Sequence, residues 1–164
     1  MLKIETIRNH ERMSTQDLLL MIEEAIKSGE TEFDIAASGQ HDIGGPLWHP
    51  DGKILRFHVT NAGQRVGSMC LPKTEIIVEG STSADVGWLN AGGLITVKGD
   101  AGDTAGHCSS GGKIYIGGRA VVCGVDSEEF SSVLGERACV GMVGGVVYVR
   151  GKISDYFSLA IVPA

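Results

Sequence analysis

A seven-residue phrase with apolar third and fifth letters recurs every 19 residues along the chain: LRFHVTN from Leu55, TEIIVEG from Thr74, GLITVKG from Gly93 and GKIYIGG from Gly112. A further copy, GVVYVRG from Gly145, follows after 33 residues, and a weaker one, TEFDIAA from Thr31, precedes the series by 24. The apolar letters are Phe57, Ile76, Ile95, Ile114 and Val147, then Val59, Val78, Val97, Ile116 and Val149. Alternation with period two predicts a strand with one buried face, so each phrase reads as one strand. The seventh letter is Asn61, Gly80, Gly99, Gly118 or Gly151, residue types that take positive φ where a chain turns sharply. A strand and a corner that repeat without an intervening helix predict an all-β solenoid of parallel coils, a β-helix of ~19-residue coils with Ile76, Ile95 and Ile114 one above the next.

Further glycines punctuate the repeat. Gly87 follows Gly80 by seven residues and Gly106 follows Gly99 by the same interval. Gly-Gly pairs close the coils at Gly92-Gly93, Gly111-Gly112 and Gly144-Gly145, which implies three corners per coil. The coils are expected over residues 31–152 of a single domain, 1–164, with an irregular insertion at 119–143. Within it Arg119–Gly124 reads as a strand and Ser127–Val133 as a candidate helix. Either this edge carries a specialised loop, or residues are missing between Gly118 and Val122. The apolar ending LAIVPA reads as a strand that a partner or a further segment would follow. Before the coils, one helix is expected at 14–28, with Ser14 as its cap and a stop at Gly29. Its apolar face is Leu18, Met21, Ile22, Ala25 and Ile26. Capping the open end or the side of the solenoid is its expected role, with docking to another subunit as the rival.

The outward letters predict cross-strand neighbours. Glu79 and Lys98 share position six on adjacent coils, a pair contributing about 0.5 kcal/mol. Position four runs His58, Ile77, Thr96, Tyr115, Tyr148, too apolar for a wet surface, so the helix at 14–28, a loop or another protein is expected to cover it, and Ile77, Tyr115 and Tyr148 are candidate interface residues.

Composition narrows the function classes. The 24 glycines against 4 prolines are about twice the average glycine share of about 7%, which is turn chemistry and not a flexible linker. A net charge of −6 without a Lys/Arg cluster argues against nucleic acid and anionic membranes as partners. MLKIETIRNHER has no apolar signal region, and no run approaches the ~18 apolar residues of a spanning helix, so a cytoplasmic location is expected. Cys70, Cys108, Cys123 and Cys139 form no CxxC pair. Cys70 and Cys108, nominally two coils apart, would lie about 9.6 Å from each other, beyond the roughly 7 Å reach of a disulfide. All four are expected as reduced thiols.

Candidate chemistry is sparse. GHCSSGGKI around Lys113 lacks Walker spacing, since His107 and Ile114 stand where glycine and Ser/Thr are needed. GDAGDTAG is no GxGxxG and joins strand to strand, so no helix N-terminus is there to hold an anion. No G-x-S-x-G occurs; the nearest nucleophilic serine is Ser110, with Cys108 two before it. Adjacent residues on an extended segment face opposite ways, so His107 and Cys108 cannot form a dyad within one coil. His41, His49 and His58, with Asp42 and Asp51, are the one cluster resembling metal ligands, and their gaps of 8 and 9 residues match no usual ligand spacing. Asp100 and Asp103 read as caps of corner amides. No catalytic, cofactor-binding or metal-ligating residue is therefore assigned.

The segments NAGQRVGSMCLPKTEIIVEG, GDAGDTAGHCSSGGKIYIGG and LGERACVGMVGGVVYVRG resemble the GXGXG domain, which is found in the glutamate synthase large subunit and in one of the subunits of formylmethanofuran dehydrogenase. The likeness spans roughly residues 32–152. It implies a right-handed β-helix without catalytic residues or cofactors of its own, buttressing a flavin and iron–sulfur synthase domain. The expected role is a structural, protein-binding subunit of a glutamate synthase-like, amidotransferase-linked redox complex, with a catalytic subunit of that kind as partner or a homo-oligomer instead. The alternative is a small hydrolase or esterase with a site between coils or subunits.

Overall fold

The computed structural model describes residues 1–117, 139–140 and 143–149. Its elements are β1 (Leu2–Glu5), β2 (Ile7–Arg8), β3 (Glu11–Arg12), α1 (Thr15–Lys27), β4 (Glu32–Ala36), β5 (Leu55–Thr60), β6 (Thr74–Val78), β7 (Ala91–Val97), β8 (Ser110–Ile116) and β9 (Gly144–Val149). Seven of the strands form one sheet in the order β1-β4-β5-β6-β7-β8-β9, while β2 and β3 form a separate antiparallel ribbon. Every pairing in the large sheet is parallel and joins strands adjacent in that order.

Register follows from the apolar alternation, because a slip of one residue would turn each buried side chain outward. Phe33 pairs with Phe57, Phe57 with Ile76, Ile76 with Ile95, Ile95 with Ile114 and Ile114 with Val147. Phe33, Phe57, Ile76, Ile95 and Ile114 are all buried, and the rings of Phe33 and Phe57 stack at 4.9 Å. One file of side chains therefore crosses the sheet on its inner face.

The expected fold class, an all-β right-handed β-helix, is corrected by this architecture. Each repeat contributes one strand to one sheet, and a packed helix belongs to the core, which makes the fold mixed α/β in character. Among the described residues the segments between the strands are turns and bends, with the isolated bridge Thr82–Ala101 outside the named strands. The physical reason lies in the backbone: non-glycine residues at positive φ recur within the connections, including Asp42, Arg65, Asp85 and Thr104 at φ 57–63°, and a strand cannot pass through such residues. The connections still satisfy one another. Arg65 N donates to Ala84 O, Asp85 N to Asp103 O, Met69 N to Trp88 O and Leu89 N to His107 O, at 2.7–2.9 Å.

Helix α1 joins the adjacent parallel strands β1 and β4 as a crossover. Ser14 Oγ accepts from Asp17 N at 3.1 Å, capping the helix. Leu18, Ile22 and Ile26 are buried in the same cluster as Ile4, Phe33 and Ile35. The helix therefore covers the inner face at the N-terminal end of the sheet, and not the outer row of position four. Asn61 and Gly80 take the positive φ expected of corners, 51° and 113°. Gly99 does not: a Cβ there would stand 2.6 Å from Ser81 N, so close backbone packing excludes a side chain. Gly93 and Gly111 likewise lie outside the positive-φ set, whereas Gly87, Gly92, Gly106 and Gly112 belong to it. The corners at Gly118 and Gly151, the strand at Arg119–Gly124 and the helix at Ser127–Val133 fall outside the described residues.

Candidate functional site

The outer face of the sheet divides into a charged part and an apolar part. On β4 to β6 the strand spacing brings opposite charges within reach. Arg56 meets Glu75 at 3.0 Å and Glu32 at 3.5 Å. Glu79 receives Lys98 Nζ at 2.6 Å and lies 3.6 Å from His58 Nδ1, so the pair expected from position six is present. The hydrogen bond from Lys98 is the largest influence on the Glu79 carboxyl; it outweighs the opposing desolvation and, with the lesser effects of the Lys98 and His58 charges, holds that group below its usual range. Towards β7 and β8 the same face carries Leu94, Thr96 and Tyr115, all half-buried, beside half-buried Ile77, with exposed Lys113 next to Leu94 in register. His58, Ile77, Thr96, Tyr115 and Tyr148 occupy one continuous row of register positions, which places the three candidate interface residues in line.

The candidate nucleophiles are not assembled into a catalytic group among the described residues. Ser110 is exposed at the head of β8, and its backbone N donates to Asn90 O at 2.9 Å. His107 N donates to Thr104 O, and its Nδ1 is buried without a hydrogen-bond partner among the described residues, so none of their carboxylates orients the imidazole through that nitrogen. Cys108 sits at φ 54° with its N bonded to Val140 O at 2.8 Å. Burial pushes the Cys70 thiol up to about 12, only partly opposed by a hydrogen bond with Thr74, and pushes Cys139 to about 11. Both are protonated at neutral pH and are poor nucleophiles. Cys70, Cys108 and Cys139 are free thiols, and Cys123 lies outside the described residues.

The histidine cluster does not converge: His49 is buried, His41 is half-buried and His58 is exposed on the outer face. His41 Nδ1 accepts from Gln64 N at 2.9 Å, His49 Nδ1 accepts from Asp51 N at 3.1 Å, and His58 stands on the outer face beside Glu79. Asp42 pairs with Arg65 at 3.1 Å. Among the described residues no three His, Cys, Asp or Glu side chains are grouped to hold a metal. Asp100 and Asp103 tie their turn to the preceding repeat through backbone carbonyls that accept from Thr82 N and Asp85 N, both at 2.9 Å.

Two polar devices escaped the sequence reading. Asp42, Arg65, Asp85 and Thr104 form a rung series at one corner; Arg65 binds Asp42, and Thr104 Oγ1 donates to the Asp85 carboxylate. The signal was legible as a repeated residue-aliphatic-glycine triplet, at Asp42-Ile43-Gly44, Arg65-Val66-Gly67, Asp85-Val86-Gly87 and Thr104-Ala105-Gly106. Asn90 is the second. Fully buried, its Oδ1 accepts from Gly92 N at 3.2 Å and Gly93 N at 2.9 Å, while Nδ2 donates to Gly93 O at 3.1 Å. It thereby holds the register shift at the start of β7. No single letter marks this role.

Among the described residues no helix is long and apolar enough to cross a membrane. Comparisons with protein-family models, with curated proteins and with solved structures each return no match.

Proposed function

We propose that this chain is a structural, protein-binding subunit whose contact surface is the outer face of the sheet around Ile77, Leu94 and Tyr115. The observation that carries this reading is the run of half-buried Ile77, Thr96 and Tyr115, neighbours in register, beside a satisfied ladder of ion pairs. A partner packing there would remove apolar surface from water, and would need an acceptor for Lys113, which stands exposed beside Leu94 in register. Strands locked in register by a buried file of aliphatic side chains offer the rigid support such a role needs.

The setting we favour is a cytoplasmic, glutamate synthase-like complex linked to an amidotransferase, with a flavin and iron–sulfur synthase chain as partner. Its support is the likeness of the three glycine-rich segments to the GXGXG domain. In this reading the chain itself contributes no catalytic residue and no cofactor.

The test is affinity purification of the tagged full chain from its native host, in parallel with the variants Ile77→Glu and Tyr115→Glu. Recovery of a flavin- and iron–sulfur-containing synthase chain with the unaltered protein, and its loss with both folded variants, is the expected result. Failure to recover such a chain overturns the proposed setting, and equal recovery with the variants overturns the proposed surface. Hydrolysis of short-chain esters by the pure protein, abolished by Ser110→Ala, would overturn the non-catalytic role.

A further inference from the structure

Among the described residues the sheet ends at β1, and the edge it presents there carries a self-complementary pattern. Among the described strands only β4 pairs with β1. In a parallel ladder, alternate residues direct both backbone polar groups at the same neighbour. Thr6 N donates to Ala36 O at 3.1 Å, so by alternation Leu2, Ile4 and Thr6 address β4, while Lys3 and Glu5 address the open side. Lys3 and Glu5 are also the exposed, outer-face side chains of this strand, whereas Ile4 and Thr6 are buried on the inner face. Unlike Arg56, Glu75, Glu79 and Lys98, neither Lys3 nor Glu5 forms an ion pair among the described residues.

Those facts restrict how this edge can be extended. An antiparallel strand must place its own outward-directed backbone groups opposite Lys3 and Glu5, or no hydrogen bonds form. For a second copy of β1, three registers meet that demand. One sets Lys3 against Lys3 and another sets Glu5 against Glu5; both oppose like charges and are disfavoured. The third centres on Ile4 and sets Lys3 against Glu5 of the second copy, twice over by symmetry. It also keeps Ile4 on the inner face of both sheets, continuous with the two cores.

We propose that β1 is a homodimer edge, with a second copy of this chain as the occupant, paired antiparallel about a two-fold axis at Ile4. The contact is isologous and closes after two copies, so it consumes the open edge and leaves no growing end on that side. Lys3 and Glu5 then act as register selectors: they disfavour a strand that sets like charges opposite them and favour the same strand inverted. This contact is separate from the outer face and does not rest on the role proposed above for that surface.

The experiment is sedimentation equilibrium on the full chain at micromolar concentration, with Lys3→Glu, Glu5→Lys and the double exchange Lys3→Glu/Glu5→Lys. The unaltered chain should sediment as a dimer whose dissociation constant rises with salt. Each single variant should be a folded monomer by circular dichroism, with dimerisation weakened at least tenfold, because like charges then face each other at both symmetric positions. The double exchange should restore the dimer. An equimolar mixture of the two single variants should form a heterodimer, since every opposed pair is again of opposite sign. A monomeric unaltered chain, assemblies that grow beyond two copies, single variants that dimerise undiminished, or a double exchange that stays monomeric would each overturn the proposal.

Discussion

The buried file across the sheet can be tested with two neighbouring isoleucines that differ only in the face they occupy. Ile76 is 1% exposed and lies between Phe57 and Ile95 in register, whereas Ile77 is half-buried on the outer face. Ile76→Ala deletes three carbon groups at about 0.8 kcal/mol each, close to 2.4 kcal/mol of lost transfer energy. The space left behind adds to this. The Phe57 and Ile95 side chains flank it on strands whose register fixes their backbones, so it closes only in part, and at about 24 cal/mol per Å³ a partly collapsed cavity contributes about 1 kcal/mol more. The expected destabilisation is therefore about 3–4 kcal/mol for Ile76→Ala, against about 1 kcal/mol or less for Ile77→Ala in the isolated chain. Urea unfolding followed by circular dichroism measures both, provided that the m-value is unchanged between variants. Equal losses at the two positions, or a larger loss at Ile77, would refute the assignment of faces and the stacking it implies.

Three further outcomes follow from the packing. A Cβ at Gly93 would overlap Cys70 Sγ, so Gly93→Ala should cost about 1–3 kcal/mol in urea unfolding and lose part of that penalty in a Cys70→Ala background. Asn90→Ala leaves the amide of Gly92 without its partner and weakens the hold on Gly93, an expected loss of about 2–4 kcal/mol. Hydrogen exchange at the start of β7 should rise with it. Cys70 and Cys139 have thiol pKa values raised from 9.0 to about 12 and about 11, so the folded state keeps protons that the unfolded chain releases. Stability should hold below pH 9 and fall as pH rises towards 12, with Cys70→Ala showing a shallower decline in denaturation midpoint.

Strand positions and register could be read from the chain because both depend on local alternation repeated at a constant interval. Phe57, Ile76, Ile95 and Ile114 fall in line as soon as the period of 19 is recognised between consecutive phrases. The pairing of Glu79 with Lys98 follows from the same arithmetic. The start of α1 was equally local, since Ser14 and Asp17 satisfy each other within one turn.

The fold class and the polar devices belong to the tertiary structure. Glycine spacing suggested three corners and a β-helix, but whether a segment between corners becomes a second sheet depends on backbone angles. At Asp42, Arg65 and Asp85 those angles are left-handed in residues that carry no glycine signal. Gly99 shows the same limit from the other side: its letter is right for a turn, yet what requires it is the backbone of the preceding repeat a few ångströms away. The sequence alone determined which side chains face inward and where successive strands meet. Only the folded chain decided that the connections remain turns, that α1 covers the inner face and that Lys3 and Glu5 stand on the outermost of the described strands, because each of these depends on contacts between residues whose separation no periodicity encodes.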